Sequence, residues 1–135
     1  MKTGYDPVET GDPSGWHLGT PTTSTTVMPT GQTDVIARSR YDAQGRLIET
    51  RQPASNGADA GTRQTVYYSS GANTADAACG NKPAWAGLVC LTRYAGGNLP
   101  DQRVTNYNDD LQPLEVTETV AVRNLAQVTR FIGQL

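Results

Sequence analysis

Residues 41–53, with the sequence YDAQGRLIETRQP, restrict the fold of the chain more than any other stretch. The carboxylate of Asp42 is suited to accept hydrogen bonds from the backbone of its own turn, and Gly45 tolerates the positive φ that a tight bend requires. Side chains alternate in character on both sides of this bend, as they do in two paired strands. Pro53 has no N–H to donate to a β-ladder, so it ends the pairing or lies at a sheet edge. The stretch therefore predicts a β-hairpin.

This hairpin resembles the YD repeat of Rhs proteins, in which Tyr-Asp is followed by two residues, by Gly-Arg-Leu and by a later proline. The matching residues are Tyr41, Asp42, Gly45, Arg46, Leu47 and Pro53. In that family, which includes bacterial polymorphic toxins and animal teneurins, tandem repeats form β-hairpins that wind into a hollow shell. The resemblance implies an all-β chain in which antiparallel YD-repeat hairpins form an open, single-layer twisted sheet, as a segment of a β-shell.

A second, degenerate copy of the repeat lies within residues 102–119. Tyr107 and Asn108 stand where Tyr-Asp would, and Leu111 with the glutamine after it replaces Gly-Arg. The two segments that flank this bend again have the composition of strands. The turn glycine is missing from this copy, which counts against a tight bend.

Composition favours a thin β-structure over a domain with a thick core. The 135 residues suffice for one domain, and the hydrophobic (36%) and charged (18%) fractions are both low for a globular protein. A formal net charge of -2 gives no electrostatic footprint for nucleic acid or for a membrane surface. No apolar run has membrane-spanning length, and no signal peptide follows Met1. We therefore expect a piece of a larger protein that is secreted or displayed at the cell surface, with its export signal elsewhere.

The chain has two cysteines, Cys79 and Cys90, with ten residues between them. A disulfide between them would close a short loop, stabilise the fold by about 3 kcal/mol and indicate an extracellular setting. We predict this disulfide, with two free thiols as the alternative. A zinc site is disfavoured because no histidine lies near either cysteine.

Three segments follow from the pattern of turn residues and apolar residues. Residues 1–32 are rich in turn formers, and the threonine-rich run at 20–27 is either an edge strand or a flexible linker. Residues 33–120 form the YD-repeat sheet segment, with further strands at 62–69 and 88–94. Residues 121–135 are atypical: apolar residues recur there at helical spacing, so a short amphipathic helix and a frayed end are both open.

Catalysis has little support in the sequence. His17 is the only histidine, and its turn-rich surroundings favour a surface or packing role. The cluster around Asp12 resembles the Asp-Pro sequence at which Rhs cores cleave themselves, but the other elements of that site are missing, so we do not expect self-cleavage. We predict no catalytic residue, no metal site and no cofactor.

Aromatic side chains suggest a second class of function. Trp16 and Trp85 are candidates for stacking against sugars, because Rhs-type repeats have been linked to carbohydrate binding. The strand tyrosines are more simply explained as cross-strand packing partners.

The expected function is structural, because an isolated hairpin is marginally stable and gains stability from its neighbours in a series. The partners implied by the resemblance are the rest of a larger Rhs-like chain or an enclosed toxin polypeptide. Unpaired strand edges also predict self-association. A secreted carbohydrate-binding module for cell-surface glycans is the alternative.

Overall fold

The computed structural model describes residues 1–5, 21–122 and 125–132. These residues form nine β-strands in one sheet, with each strand antiparallel to its neighbours and with the strand order of the sequence. The strands are β1 (Lys2–Tyr5), β2 (Pro21–Thr26), β3 (Val35–Tyr41), β4 (Leu47–Arg51), β5 (Thr62–Tyr67), β6 (Val89–Tyr94), β7 (Asp101–Tyr107), β8 (Pro113–Val122) and β9 (Leu125–Ile132). Within the described ranges the sheet is open, and β1 and β9 are its edges. The predicted all-β class with an open antiparallel sheet is confirmed.

Strand β5 illustrates how alternation of side chains separates the two faces of the sheet. Thr62 and Val66 lie on one face and are buried, whereas Arg63 lies on the other and is exposed. Val66 pairs with Leu91 of β6, which is also buried. The apolar core therefore begins at the β5–β6 pair.

The connection between β5 and β6 folds back over the sheet and supplies part of the core. It contains two short 3₁₀ turns, Ala77–Cys79 and Pro83–Trp85. Asp76 caps the first turn, because its Oδ1 accepts the N–H of Ala78 at 2.9 Å. The proline suits the start of the second turn, since its φ is already close to the helical value.

The core is small, as the composition predicts. Among the described residues, the buried apolar side chains are Val66, Tyr68, Cys79, Cys90, Leu91 and Tyr107. Trp85, Leu88 and Val104 pack against them and remain partly exposed. The core thus lies on β5, β6 and β7 and beneath the connection that covers them.

The threonine-rich run is a strand, but it is not at an edge. Strand β2 pairs with β3 on one side and with β1 on the other. The sequence did not predict that the first residues of the chain form a strand, β1, that pairs with β2. Their pairing is seen only in the fold.

The helical alternative for the last segment is wrong, since Leu125–Ile132 is the strand β9. This strand pairs with β8 over its whole length, from Val122 opposite Leu125 to Glu115 opposite Ile132. Apolar spacing in so short a segment fits a helix or a strand, and the backbone hydrogen bonds offered by β8 decide for the strand. No helix in the described part of the chain is long and apolar enough to cross a membrane.

Candidate functional site

The turn between β3 and β4 is organised by the carboxylate of Asp42. Its Oδ1 accepts the backbone N–H groups of Gln44 at 3.0 Å and Arg46 at 2.9 Å. Its Oδ2 accepts the Nε–H of Arg46 at 2.7 Å. Gly45 has a φ of 77° and donates its N–H to the Asp42 carbonyl at 2.9 Å. A tight bend with a bound aspartate and a left-handed glycine follows directly from these residue types.

Arg46 and Leu47 connect this turn to strand β5 through Tyr67. The guanidinium carbon of Arg46 lies 4.6 Å from the centre of the Tyr67 ring. The Tyr67 hydroxyl donates to the carbonyl of Leu47 at 2.8 Å. Pro53 lies just after β4, next to the Gln52 N–H that donates to the Gly61 carbonyl at 2.8 Å. The residues of the repeat motif therefore shape one hairpin and attach it to the next strand.

The turn between β7 and β8 repeats this geometry with different residues. Oδ1 of Asn108 accepts the N–H of Asp110 at 3.0 Å and that of Gln112 at 2.9 Å. Leu111 donates its N–H to the Asn108 carbonyl at 2.9 Å, as Gly45 does to Asp42. Leu111 also adopts a positive φ, 60°. The missing glycine therefore does not prevent the bend, and the degenerate copy forms a hairpin of the same kind.

Tyr107, which holds the place of Tyr41 in the second copy, belongs to a cluster of three aromatic rings. The ring centres of Tyr68 and Trp85 lie 5.2 Å apart, and that of Tyr107 is 6.3 Å from Tyr68 and 5.6 Å from Trp85. The Tyr68 hydroxyl donates to the Val104 carbonyl at 2.5 Å, and the Tyr107 hydroxyl donates to the Val89 carbonyl. Burial raises the pKa of both phenols. These rings bind the covering connection to β6 and β7.

The disulfide Cys79–Cys90 is present and lies beside this aromatic cluster. It joins the first 3₁₀ turn to strand β6, and both cysteines are fully buried. In the chain-entropy model, closing a loop of this length stabilises the fold by about 3 kcal/mol. The predicted disulfide is thus confirmed.

Arg103 of β7 contacts both the disulfide and Asp76, the residue that caps the first 3₁₀ turn. Its Nη1 lies 3.4 Å from Sγ of Cys79 and 3.4 Å from Sγ of Cys90. Its Nη2 donates to Oδ2 of Asp76 at 2.8 Å. This hydrogen bond from Arg103 holds the pKa of the Asp76 carboxyl below its ordinary value. Arg103 therefore links the disulfide to the residue that caps the 3₁₀ turn.

A second charged cluster surrounds Glu49 on β4. The carboxylate is only 6% exposed and accepts from Nε of Arg51 at 2.6 Å and from Nε2 of Gln64 at 3.3 Å. Arg40 adds an ion pair at 3.6 Å. A buried carboxylate is tolerated because charged and polar partners replace its lost water. An open groove of about 400 Å³ runs past this cluster and the Asp42 turn.

Of the two candidate glycan-binding tryptophans, the structure describes Trp85. Trp85 is half-buried in the aromatic cluster, and the Lys82 ammonium lies 5.3 Å from the centre of its ring. Trp16, His17 and Asp12 lie outside the described residues. Within the described residues, no group of three His, Cys, Asp or Glu side chains is placed to hold a metal ion.

Sequence reasoning missed the roles of Arg103, Asp76 and Glu49. Arg103 and Asp76 are 27 positions apart in the sequence, and Glu49 is bound by Gln64 of the next strand as well as by Arg40 and Arg51 of its own hairpin. The only local signal was the aspartate just before the first 3₁₀ turn, a position at which aspartate favours a cap. Comparisons of the chain with protein-family models, curated proteins and solved structures found no significant match.

Proposed function

We propose that this chain is a wall segment of an Rhs-like YD-repeat shell, which encloses or presents another polypeptide and performs no catalysis of its own. The observation that carries the proposal is the pair of matched turns, at Asp42 and at Asn108, within one sheet whose strands follow the sequence order. A wall built from successive hairpins requires that order, because each hairpin packs on the preceding one.

The distribution of contacts supports a wall rather than a self-contained domain. The main contacts between strands join neighbours in the sequence, from β1–β2 to β8–β9. Where burial is described, the buried apolar residues are few and concentrate around β5, β6 and β7. Strands β3 and β4, which contribute no buried apolar side chain, therefore depend on pairing along the sheet for their stability.

The disulfide supports a place outside the reducing cytosol, since such bridges persist in oxidising compartments. We accordingly propose a secreted or cell-surface location within a larger chain. The partners are the remaining repeats of that chain and the polypeptide that the shell encloses.

The coding sequence on both sides of this segment provides the first test. Further copies of Tyr-Asp, two residues and Gly-Arg-Leu are expected there, and electron microscopy of the longer product should show a hollow β-shell. A protease should then digest the enclosed polypeptide only after the shell is opened. Flanking sequence without repeats, or a longer product without a cavity, would refute the proposal.

A glycan array distinguishes the wall from a carbohydrate-binding module. The wall segment is expected to bind no glycan. Specific binding that is lost in both Trp16→Ala and Trp85→Ala, with the Trp85→Phe variant as a folding control, would instead establish the binding module.

A further inference from the structure

The guanidinium of Arg103 is the only cationic group described in contact with the disulfide sulfurs. It is within 3.4 Å of both, and it is fixed there by its hydrogen bond to Asp76. Its side chain is 29% exposed, whereas the cysteines are fully buried. A neutral disulfide gains little from an adjacent cation, because its sulfurs are weak hydrogen-bond acceptors. A thiolate at the same place would gain much more.

We propose that Arg103 makes the Cys79–Cys90 bridge a reversible redox element, by stabilising the thiolate that forms when a small dithiol reduces it. This inference does not rest on the proposed shell function. It requires only the side chains of Arg103, Cys79 and Cys90 and a reductant of the dithiol class.

The chemistry is a two-step thiol–disulfide exchange. Cys79 lies in a short 3₁₀ turn beside exposed residues, whereas Cys90 lies within the central strand β6. Local opening of the turn therefore exposes Cys79 first, and a thiolate of the reductant attacks its sulfur. The S–S bond breaks, and its electron pair leaves with Cys90 as a thiolate beside Arg103.

In the second step the other thiol of the reductant, after losing its proton to water, attacks the mixed disulfide. Cys79 is released as a thiolate and takes up a proton, and the reductant leaves as a cyclic disulfide. The protein gains two electrons and the dithiol loses two. Arg103 acts through position and charge and forms no bond in either step.

Reduction would release the covering connection from β6. The link between the 3₁₀ turn and the strand is lost, together with the stabilisation that comes from closing this loop. Tyr68, which shares the apolar core with both cysteines, and Trp85, which packs against that core, then lose part of their support. The stability of this part of the sheet therefore depends on the redox state of the compartment.

The test measures the redox equilibrium of the full chain in mixtures of reduced and oxidised dithiothreitol, with the free thiols counted by alkylation and mass spectrometry. Arg103→Met is expected to lower the equilibrium constant for reduction about tenfold, which corresponds to about 30 mV. Arg103→Lys, which keeps the charge, should stay closer to the wild type. Asp76→Asn keeps an oxygen that can accept the hydrogen bond from Arg103 and removes a negative charge, so it should not make the bridge harder to reduce.

The direction of the change separates this proposal from simple loosening. A variant that only loosens the packing makes the bridge easier to reduce, which is the opposite of the expected result. An Arg103→Met chain that is reduced as readily as the wild type, or more readily, would overturn the proposal. So would an Arg103→Lys chain that matches Arg103→Met.

A measurement on the wild type alone covers the case in which Arg103→Met does not fold. In the reduced chain, the ultraviolet absorbance of thiolate should appear at a lower pH than in the same chain unfolded in urea, whose cysteines titrate near pH 8.5, about the ordinary value. Absorbance that appears at the same or a higher pH in the folded chain would contradict the role of Arg103.

Discussion

Gly45 and Leu111 occupy the same place in the two matched turns, and both have positive φ values, 77° and 60°. A left-handed backbone costs a residue with a Cβ atom about 1–2 kcal/mol, whereas glycine adopts it freely. Leu111 is 51% exposed and so loses little packing when it is shortened. We expect Leu111→Gly to raise the free energy of unfolding by roughly 0.5–1 kcal/mol, measured by urea denaturation.

Two other variants check the reason for this gain. Gly45→Ala should lower the free energy of unfolding by about 1 kcal/mol, because alanine must adopt the same left-handed backbone. Leu99 is similarly exposed, at 49%, but is not among the residues with a positive φ. Leu99→Gly should therefore give no stabilisation. Equal gains in the two Leu→Gly variants would show that the turn geometry is not responsible.

Asp76 gives a second prediction at this scale, because its pKa is lowered in the folded chain, chiefly by the hydrogen bond from Arg103. A lowered pKa contributes stability above the ordinary value of 3.8, and this contribution is lost as the pH falls through the folded value. Asp76→Asn should cost about 1 kcal/mol near neutral pH, where the ion pair is intact. The difference from the wild type should shrink below about pH 4.

Thermal or urea unfolding as a function of pH measures this effect. Asp109→Asn, in the exposed part of the second turn, removes the same charge and is the matched control. A deficit in Asp76→Asn that stays constant down to acidic pH would mean that the carboxylate charge does not matter.

At the scale of the elements, Trp85 anchors the connection between β5 and β6 to the core. Its ring contacts Tyr68 and Tyr107 and packs against the small apolar core. Trp85→Ala should lower the free energy of unfolding by about 2 kcal/mol, which is less than for a fully buried tryptophan because the side chain is partly exposed. Trp85→Phe should keep most of the stability. An unchanged midpoint of urea denaturation for the alanine variant would show that Trp85 does not stabilise the core.

The success of sequence reasoning differs between elements for a physical reason. The hairpin of β3 and β4 was predictable, because Asp42 and Gly45 fix its bend through contacts within a few residues. Strand β9 was not predictable, since the apolar spacing around Val128 fits a helix as well as a strand. Only the pairing of this segment with β8 determines that it is a strand. For the same reason the sequence left β2 open between an edge strand and a linker, and its pairing with β1 was not predicted.

The candidate sites divide in the same way. A disulfide between Cys79 and Cys90 was predictable because the chain has two cysteines, so only one pairing within it is possible. The approach of Arg103 to both sulfurs was not, because it depends on the register between β6 and β7. Local chemistry is therefore readable from the sequence, whereas charges that meet across strands require the fold.

At the scale of the whole molecule, the two edges of the described sheet are unequal. Strand β1 has four residues, whereas β9 has eight and contains no proline. Long unpaired edges favour pairing with a second chain. We therefore expect concentration-dependent self-association of the isolated chain, mainly through β9, in sedimentation experiments. A single monomeric species at all concentrations would contradict this expectation.

A charge placed on β9 tests which edge is responsible. Thr129 pairs with Glu118 of β8, so Thr129→Lys places a lysine opposite a carboxylate and should preserve the hairpin. When β9 of one copy approaches β9 of another, the two introduced lysines repel each other, so association should weaken about tenfold or more. Thr119→Lys makes the same change in net charge on the interior strand β8, opposite Asp101 of β7, and should associate like the wild type. Equal weakening in both variants would mean that net charge, rather than the free edge of β9, controls assembly.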